Sequence, residues 1–110
     1  MKLPNFERAI IPREKLLDYL LSSAHPVGQF KARFFRSLGY TNDNWTKLER
    51  DIREILNNDA IVTEQTEYGQ KYVVTGIIQG PTNKSAKIVT AWIILDDEKL
   101  PRFITAHPGD

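Results

Sequence analysis

The sequence predicts an α+β fold, with three N-terminal helices packed on one face of a four-stranded antiparallel sheet and residues 1–110 forming one domain. Three observations predict it. Apolar residues recur at helical spacing as far as Asn57, then give way to β-rich runs broken by turn signals. The chain has 110 residues, the size of one domain. Apolar residues make up 41% and charged residues 26%, enough to bury a core and too apolar for disorder.

The first helix is expected over 12–22. Pro12 suits the first helical position, where its missing N–H would be unsatisfied anyway. Leu16, Tyr19 and Leu20 repeat at helical spacing, and His25-Pro26 ends the run, because a residue before proline avoids the α region. The second helix is expected over 27–38, with Val27, Phe30, Phe34 and Leu38 on one stripe and Gly39 as a left-handed cap. The third is expected over 43–57, carrying the cleanest stripe: Trp45, Leu48, Ile52, Ile55 and Leu56. Thr41, Asn42 or Asp43 caps its start.

Strands are expected near 60–67, 70–78, 86–95 and 102–107, the first two joined as a hairpin through Tyr68-Gly69. KIVTAWIIL, ending at Leu95, is apolar on both faces and belongs centrally, with Trp92 in the core. Phe30, Phe34, Trp45, Leu48, Ile52, Val74, Ile93 and Ile104 are the expected core positions.

Cysteine is absent, which removes disulfides, thiolate nucleophiles and zinc–thiolate sites together and fits a cytoplasmic location. No apolar run is long enough for a membrane helix, and MKLPNFERA lacks the apolar stretch of a signal peptide. His25 and His107 have no metal-type partners at useful spacing, and no phosphate-loop or nucleophile-elbow pattern occurs, so neither a metal nor a cofactor is expected. Asp96-Asp97-Glu98 reads as a solvated turn.

The net charge of +1 excludes a histone-like nucleic-acid binder. Its distribution is uneven: residues 1–57 balance at +3 and residues 58–110 at −2. No acidic residue falls between Leu20 and Asn42, where Lys31, Arg33 and Arg36 cluster. Lys31 lies on the apolar side of the second helix, where an ammonium either snorkels outward or enters a cleft as an anion ligand. Arg33 and Arg36, on the other side, either track phosphates or are simply solvated. His25, at the start of that helix, either bonds to backbone or serves as a base. Phe103, Thr105 and His107 share one face if the last strand is regular, which makes Thr105 and His107 a phosphate-binding or proton-moving pair, or else a frayed terminus.

The segments L-P-N, D-Y-L-L, H-P-V-G-Q-F-K-A-R-F-F, L-G-Y, Y-G-Q-K-Y-V-V, V-T-A-W-I-I and P-R-F-I-T-A-H-P together resemble a bacterial family of domains of unknown function. Its members occur as short stand-alone chains and at the C-termini of secreted toxin polypeptides. The resemblance runs from Leu3 to Pro108. Helices followed by a four-stranded sheet ending in T-x-x-P is more loosely similar to the barnase–EndoU–colicin–RelE superfamily of metal-independent ribonucleases. That similarity implies an endoribonuclease of bacterial toxin type, using the RNA 2′-hydroxyl as nucleophile. His25, His107, Lys31 and Thr105 become its candidate catalytic residues, and Arg33, Arg36 and Arg102 its candidate substrate-binding residues. The superfamily pattern carries tyrosine where this chain has His107. The competing expectation is a non-enzymatic interaction domain, an immunity-like or accessory partner in a toxin system, which the near-neutral charge favours. The expected partners are thus RNA or a cognate toxin-system protein, and not a membrane.

Overall fold

The structure, a computed structural model, describes residues 1–26 and 28–109. A 3₁₀ turn at Phe6–Arg8 precedes the first helix, α1, which opens as an α turn at Arg13–Lys15 and continues as a π turn over Leu16–Leu20. The π geometry is carried by the Leu21 N–H donating to the Leu16 carbonyl at 2.8 Å. Pro12 stands one residue before the helix in extended conformation.

The second helix, α2, spans Gln29–Ser37, and the third, α3, spans Trp45–Ile55 behind a 3₁₀ turn at Asn42–Asn44. Thr41 caps that turn, and its box is closed by Asn44, whose side-chain oxygen accepts the Thr41 N–H at 2.7 Å. Gly39 takes φ +102°, the left-handed cap expected after α2, and a Cβ there would meet Thr82 at 2.9 Å.

The sheet is a meander in the order β1 (Ala60–Gln65), β2 (Gly69–Gln79), β3 (Ser85–Leu95) and β4 (Arg102–Pro108), antiparallel throughout. Register pairs Val74 with Thr90 and Tyr72 with Trp92, so β2 and β3 share faces residue for residue. Ile10 adds one isolated parallel bridge at the outer edge of β4. The core joins Leu16, Leu20, Phe35, Leu48 and Ile52 of the helices to Val74, Ile88, Trp92 and Phe103 of the sheet. No helix among the described residues is long and apolar enough to cross a membrane.

Two expectations are corrected here. Phe30 is not buried: it is 68% exposed, and Ala32 and Phe35 are the residues of α2 that enter the core. The stripe inferred through Phe30 and Phe34 was therefore turned by roughly a third of a helical turn, at about 100° per residue. Gly28 fixes the rotation, because a Cβ there would lie 2.4 Å from the Tyr19 carbonyl. Val27, the expected first residue of this helix, lies outside the described residues. Of the remaining core positions, Leu48, Ile52 and Val74 are buried, and Phe34, Trp45, Ile93 and Ile104 are half-buried.

The second correction concerns β4. The register slips between Ala91 and Trp92, which makes Ile104 a bulge residue. Phe103 thereby turns into the core, its ring 5.3 Å from that of Trp92, and does not share a face with Thr105 and His107.

Candidate functional site

The β4 bulge and the π turn of α1 meet through Lys15 and Tyr19. A bulge leaves an extra residue out of the ladder, and the Ile104 carbonyl accepts from the Lys15 ammonium at 3.3 Å. The π turn carries Tyr19. Its phenol lies 3.1 Å from the Thr105 hydroxyl. From α2, the Lys31 ammonium reaches the same phenol oxygen at 2.6 Å and stands 5.1 Å above the ring. Lys15 lies 5.7 Å from the ring. The His25 ring completes the group edge-on to Tyr19, 5.0 Å away.

Lys15, Tyr19, His25 and Thr105 border an open cleft of about 700 Å³, whose walls also include Pro12, Glu14, Asp18 and Ile104; Lys31 meets it through the Tyr19 hydroxyl. The lining carries Lys15 against the exposed carboxylates of Glu14 and Asp18, so an anion would be held by Lys15 and by Lys31 behind the Tyr19 hydroxyl, and not by a broad basic field.

The electrostatics single out Tyr19. Burial raises its phenol, but the Lys31 hydrogen bond, the Thr105 hydrogen bond and the charges of Lys31 and Lys15 outweigh that effect. Together they hold the group below its ordinary value. An ammonium can only donate, so the phenol oxygen accepts from Lys31. An ionised phenol would accept from Lys31 and Thr105 together, which is why both contacts favour that form. Tyr40 shows the opposite environment. Burial, then the hydrogen bond and charge of Asp51, push its phenol far above the ordinary range. Tyr40 thus donates to Asp51, at 2.5 Å, while the phenol of Tyr19 is held nearer to ionisation.

The Nδ1 of His25 accepts the Gly28 N–H at 3.0 Å. That bond puts the proton of the neutral ring on Nε2. Of the sequence-predicted residues, the fold brings together His25, Lys31 and Thr105. His107 is exposed, two residues along β4 from Thr105, and its Nδ1 donates to the Pro108 carbonyl at 3.0 Å. Arg36 donates to the Leu21 carbonyl at 2.8 Å, tying α2 to the end of α1. Arg102 grips both oxygens of Glu98 at 2.6 and 2.9 Å. Arg33 is exposed on α2.

Sequence reasoning missed Tyr19 and Lys15. Tyr19 reads as one more member of the stripe of the first helix, and only the fold carries Lys31 and Thr105, 12 and 86 residues away in sequence, to its hydroxyl. A second cleft, of about 400 Å³ between α3 and β2, is polar. Its cation Lys47 is already bound to Asp51 at 2.9 Å. Among the described residues no group of three or more His, Asp or Glu side chains is placed to hold a metal ion.

Helical first half, antiparallel meander and a phenol flanked by cations define the class: an α+β domain with a small polar centre where helix meets sheet edge. The chain belongs to the family described as Domain of unknown function (DUF6883), whose model matches residues 2–110. No curated protein matches it. Among solved structures it is similar to a chain from a contact-dependent growth inhibition toxin–immunity protein complex of Klebsiella pneumoniae 342. The two share 20% identity and a TM-score of 0.76, over 92% of this chain and 100% of that one. At that identity the likeness is one of fold.

Proposed function

We propose that this chain is a toxin-system domain that cleaves RNA without a metal, using the 2′-hydroxyl as nucleophile. The observation that carries the proposal is the Lys31 ammonium 2.6 Å from a Tyr19 phenol held below its ordinary pKa at the edge of an open cleft. Perturbed groups of this kind cluster at functional sites.

In the reaction the 2′-oxygen attacks the adjacent phosphorus and the bond to the 5′-oxygen breaks, leaving a 2′,3′-cyclic phosphate and a 5′-hydroxyl. Tyr19, as phenolate, takes the 2′-hydroxyl proton. Lys31, with Lys15 beside it, stabilises the negative charge gathering on the phosphorane oxygens. The Lys31 ammonium gives a proton to the leaving 5′-oxygen and recovers one from the Tyr19 phenol, 2.6 Å away, while neutral His25 donates its Nε2–H as a hydrogen bond to a phosphate oxygen. Thr105 orients the phenol, and His107 lies at the rim of this site. The substrate places the activity in the cytoplasm of the cell whose RNA is cut.

The test is cleavage of RNA by the purified chain in the presence of a chelator, with the product ends identified. Tyr19→Phe and Lys31→Ala should each slow cleavage by about 10²-fold or more, the usual range for removing a proton carrier or a charge-stabilising donor. The wild-type rate should climb with pH through the lowered phenol pKa, because the deprotonated form is the active one, and the climb should vanish in Tyr19→Phe. Cleavage that stops on chelation, or a Tyr19→Phe enzyme of full activity, would overturn the proposal.

A second reading, docking of a cognate toxin-system protein, is favoured by the sheet. In the layering we infer, helices cover the face bearing Val74 and Trp92. The opposite face carries Ile61 and Ile77, which are 65% and 74% exposed. Expression alone separates the two: growth arrest supports the nuclease, and protection of cells from a co-expressed toxin supports the docking domain.

A further inference from the structure

We infer that Phe30 is a stacking platform for an unpaired nucleobase, so that the substrate of the cleft is single-stranded RNA. The inference rests on the RNA reading above and deepens it. Phe30 is 68% exposed on the side of α2 opposite its buried residues Ala32 and Phe35. Nothing in the packing of the helix requires a phenyl ring there. It is the residue immediately before Lys31, whose ammonium enters the Tyr19 site. A strand with one phosphate at Lys31 therefore passes close to Phe30.

The surroundings fit a nucleic acid strand better than a protein. Gln29, Arg33 and Ser37, which share this outward side, are exposed and polar. The apolar surface that Phe30 makes with half-buried Phe34, one turn on, is small for protein docking. No acidic residue occurs from Tyr19 to Asn42, while Lys31, Arg33 and Arg36 all fall in that stretch. The potential along α2 therefore attracts a phosphate backbone. Arg33 sits one turn after Phe30, where its guanidinium can pair with the next phosphate or lie over a stacked base. Aromatic faces next to cations are how proteins hold unpaired strands. Bases inside a duplex are stacked on one another and have no free face to offer.

The experiment measures binding of a short labelled RNA carrying 2′-O-methyl groups, which cannot be cut, as a single strand and as the same sequence in a duplex. Wild type should favour the single strand. Phe30→Ala should weaken single-strand binding by about 5- to 150-fold, the effect of removing one stacked base, and leave duplex binding unchanged. Phe30→Trp should restore it and Phe30→Leu should not, because stacking needs a π face. Inorganic phosphate, followed by thermal melting, should bind wild type and Phe30→Ala alike, since Lys31 is intact. Equal RNA affinity in wild type and Phe30→Ala would overturn the platform while leaving the nuclease reading standing. Full rescue by leucine, or a preference for duplex, would overturn it as well. A wild type that binds no RNA would overturn both, and loss only of binding to a cognate protein in Phe30→Ala would replace it with a docking role.

Discussion

At the scale of single residues, the same side-chain type does different work according to what surrounds it. Tyr19 meets two lysines and a hydroxyl and is drawn toward ionisation, whereas Tyr40 meets a carboxylate and burial and is kept neutral. Thr90 illustrates a purely structural polar group. It is fully buried in β3, donates to the Val74 carbonyl at 2.7 Å and accepts the Trp92 indole N–H at 2.9 Å. Valine has nearly the same shape but no oxygen. Thr90→Val should therefore cost about 1–3 kcal/mol in chemical denaturation, because the indole N–H is left buried without a partner. An unchanged midpoint would mean that the indole finds another acceptor. The sequence marked Lys31, Thr105 and His25 as reactive types in suspicious places, but gave no sign that Tyr19 would be what they share.

At the scale of elements, boundaries follow local chemistry and orientations follow packing. Helix α3 starts where Thr41 can cap and stops at an Asn-Asn-Asp run, as its sequence indicates. Its stripe is also the face that is buried: Leu48 and Ile52 are 0% exposed and Ile55 only 3%. Ile52→Ala should cost about 2–5 kcal/mol, read from the denaturation midpoint, since truncation leaves a cavity that well-packed neighbours cannot fill. A loss below about 1 kcal/mol would mean that α3 does not bury this face. Helix α2 behaved otherwise. Its expected stripe, Val27, Phe30, Phe34 and Leu38, covers about 80° of the wheel, but Ala32, Phe35 and Leu38 form a rival apolar side about 100° round, so periodicity alone did not select which side turns inward. The choice fell to the contact of Gly28 with Tyr19 and the tie of Arg36 to Leu21. In β4 the bulge at Ile104 is similarly silent in sequence, yet it decides that Phe103 enters the core and that the Ile104 carbonyl receives Lys15.

At the scale of the molecule, the charge balance constrains how RNA is held. With a net charge of +1, affinity for a strand cannot come from a general field and must come from a few placed cations. Lys15 lines the cleft, Lys31 is bonded to its Tyr19 hydroxyl and Arg33 is exposed on α2; these three are the cations this reading uses. The slope of log affinity against log salt for single-stranded RNA should therefore be shallow, about −2, since each neutralised phosphate of a single strand contributes roughly −0.7. Lys31→Ala should reduce it by about one such step. A slope steeper than about −5, measured by titration at several salt concentrations, would point to a wider binding surface than this site.

The sequence by itself determined the order of elements, three helices and then four antiparallel strands, because capping, proline and turn chemistry act between near neighbours and period distinguishes helix from strand. It also determined that Lys31, Thr105 and His25 are residues a chemist would question. Only the tertiary structure decided that Tyr19 joins them, that Phe30 faces solvent and that a bulge separates Phe103 from Thr105. Each of these depends on contacts between segments far apart in the chain, and a one-residue slip of register or a fraction of a helical turn changes which side chains meet while leaving every local pattern as it was.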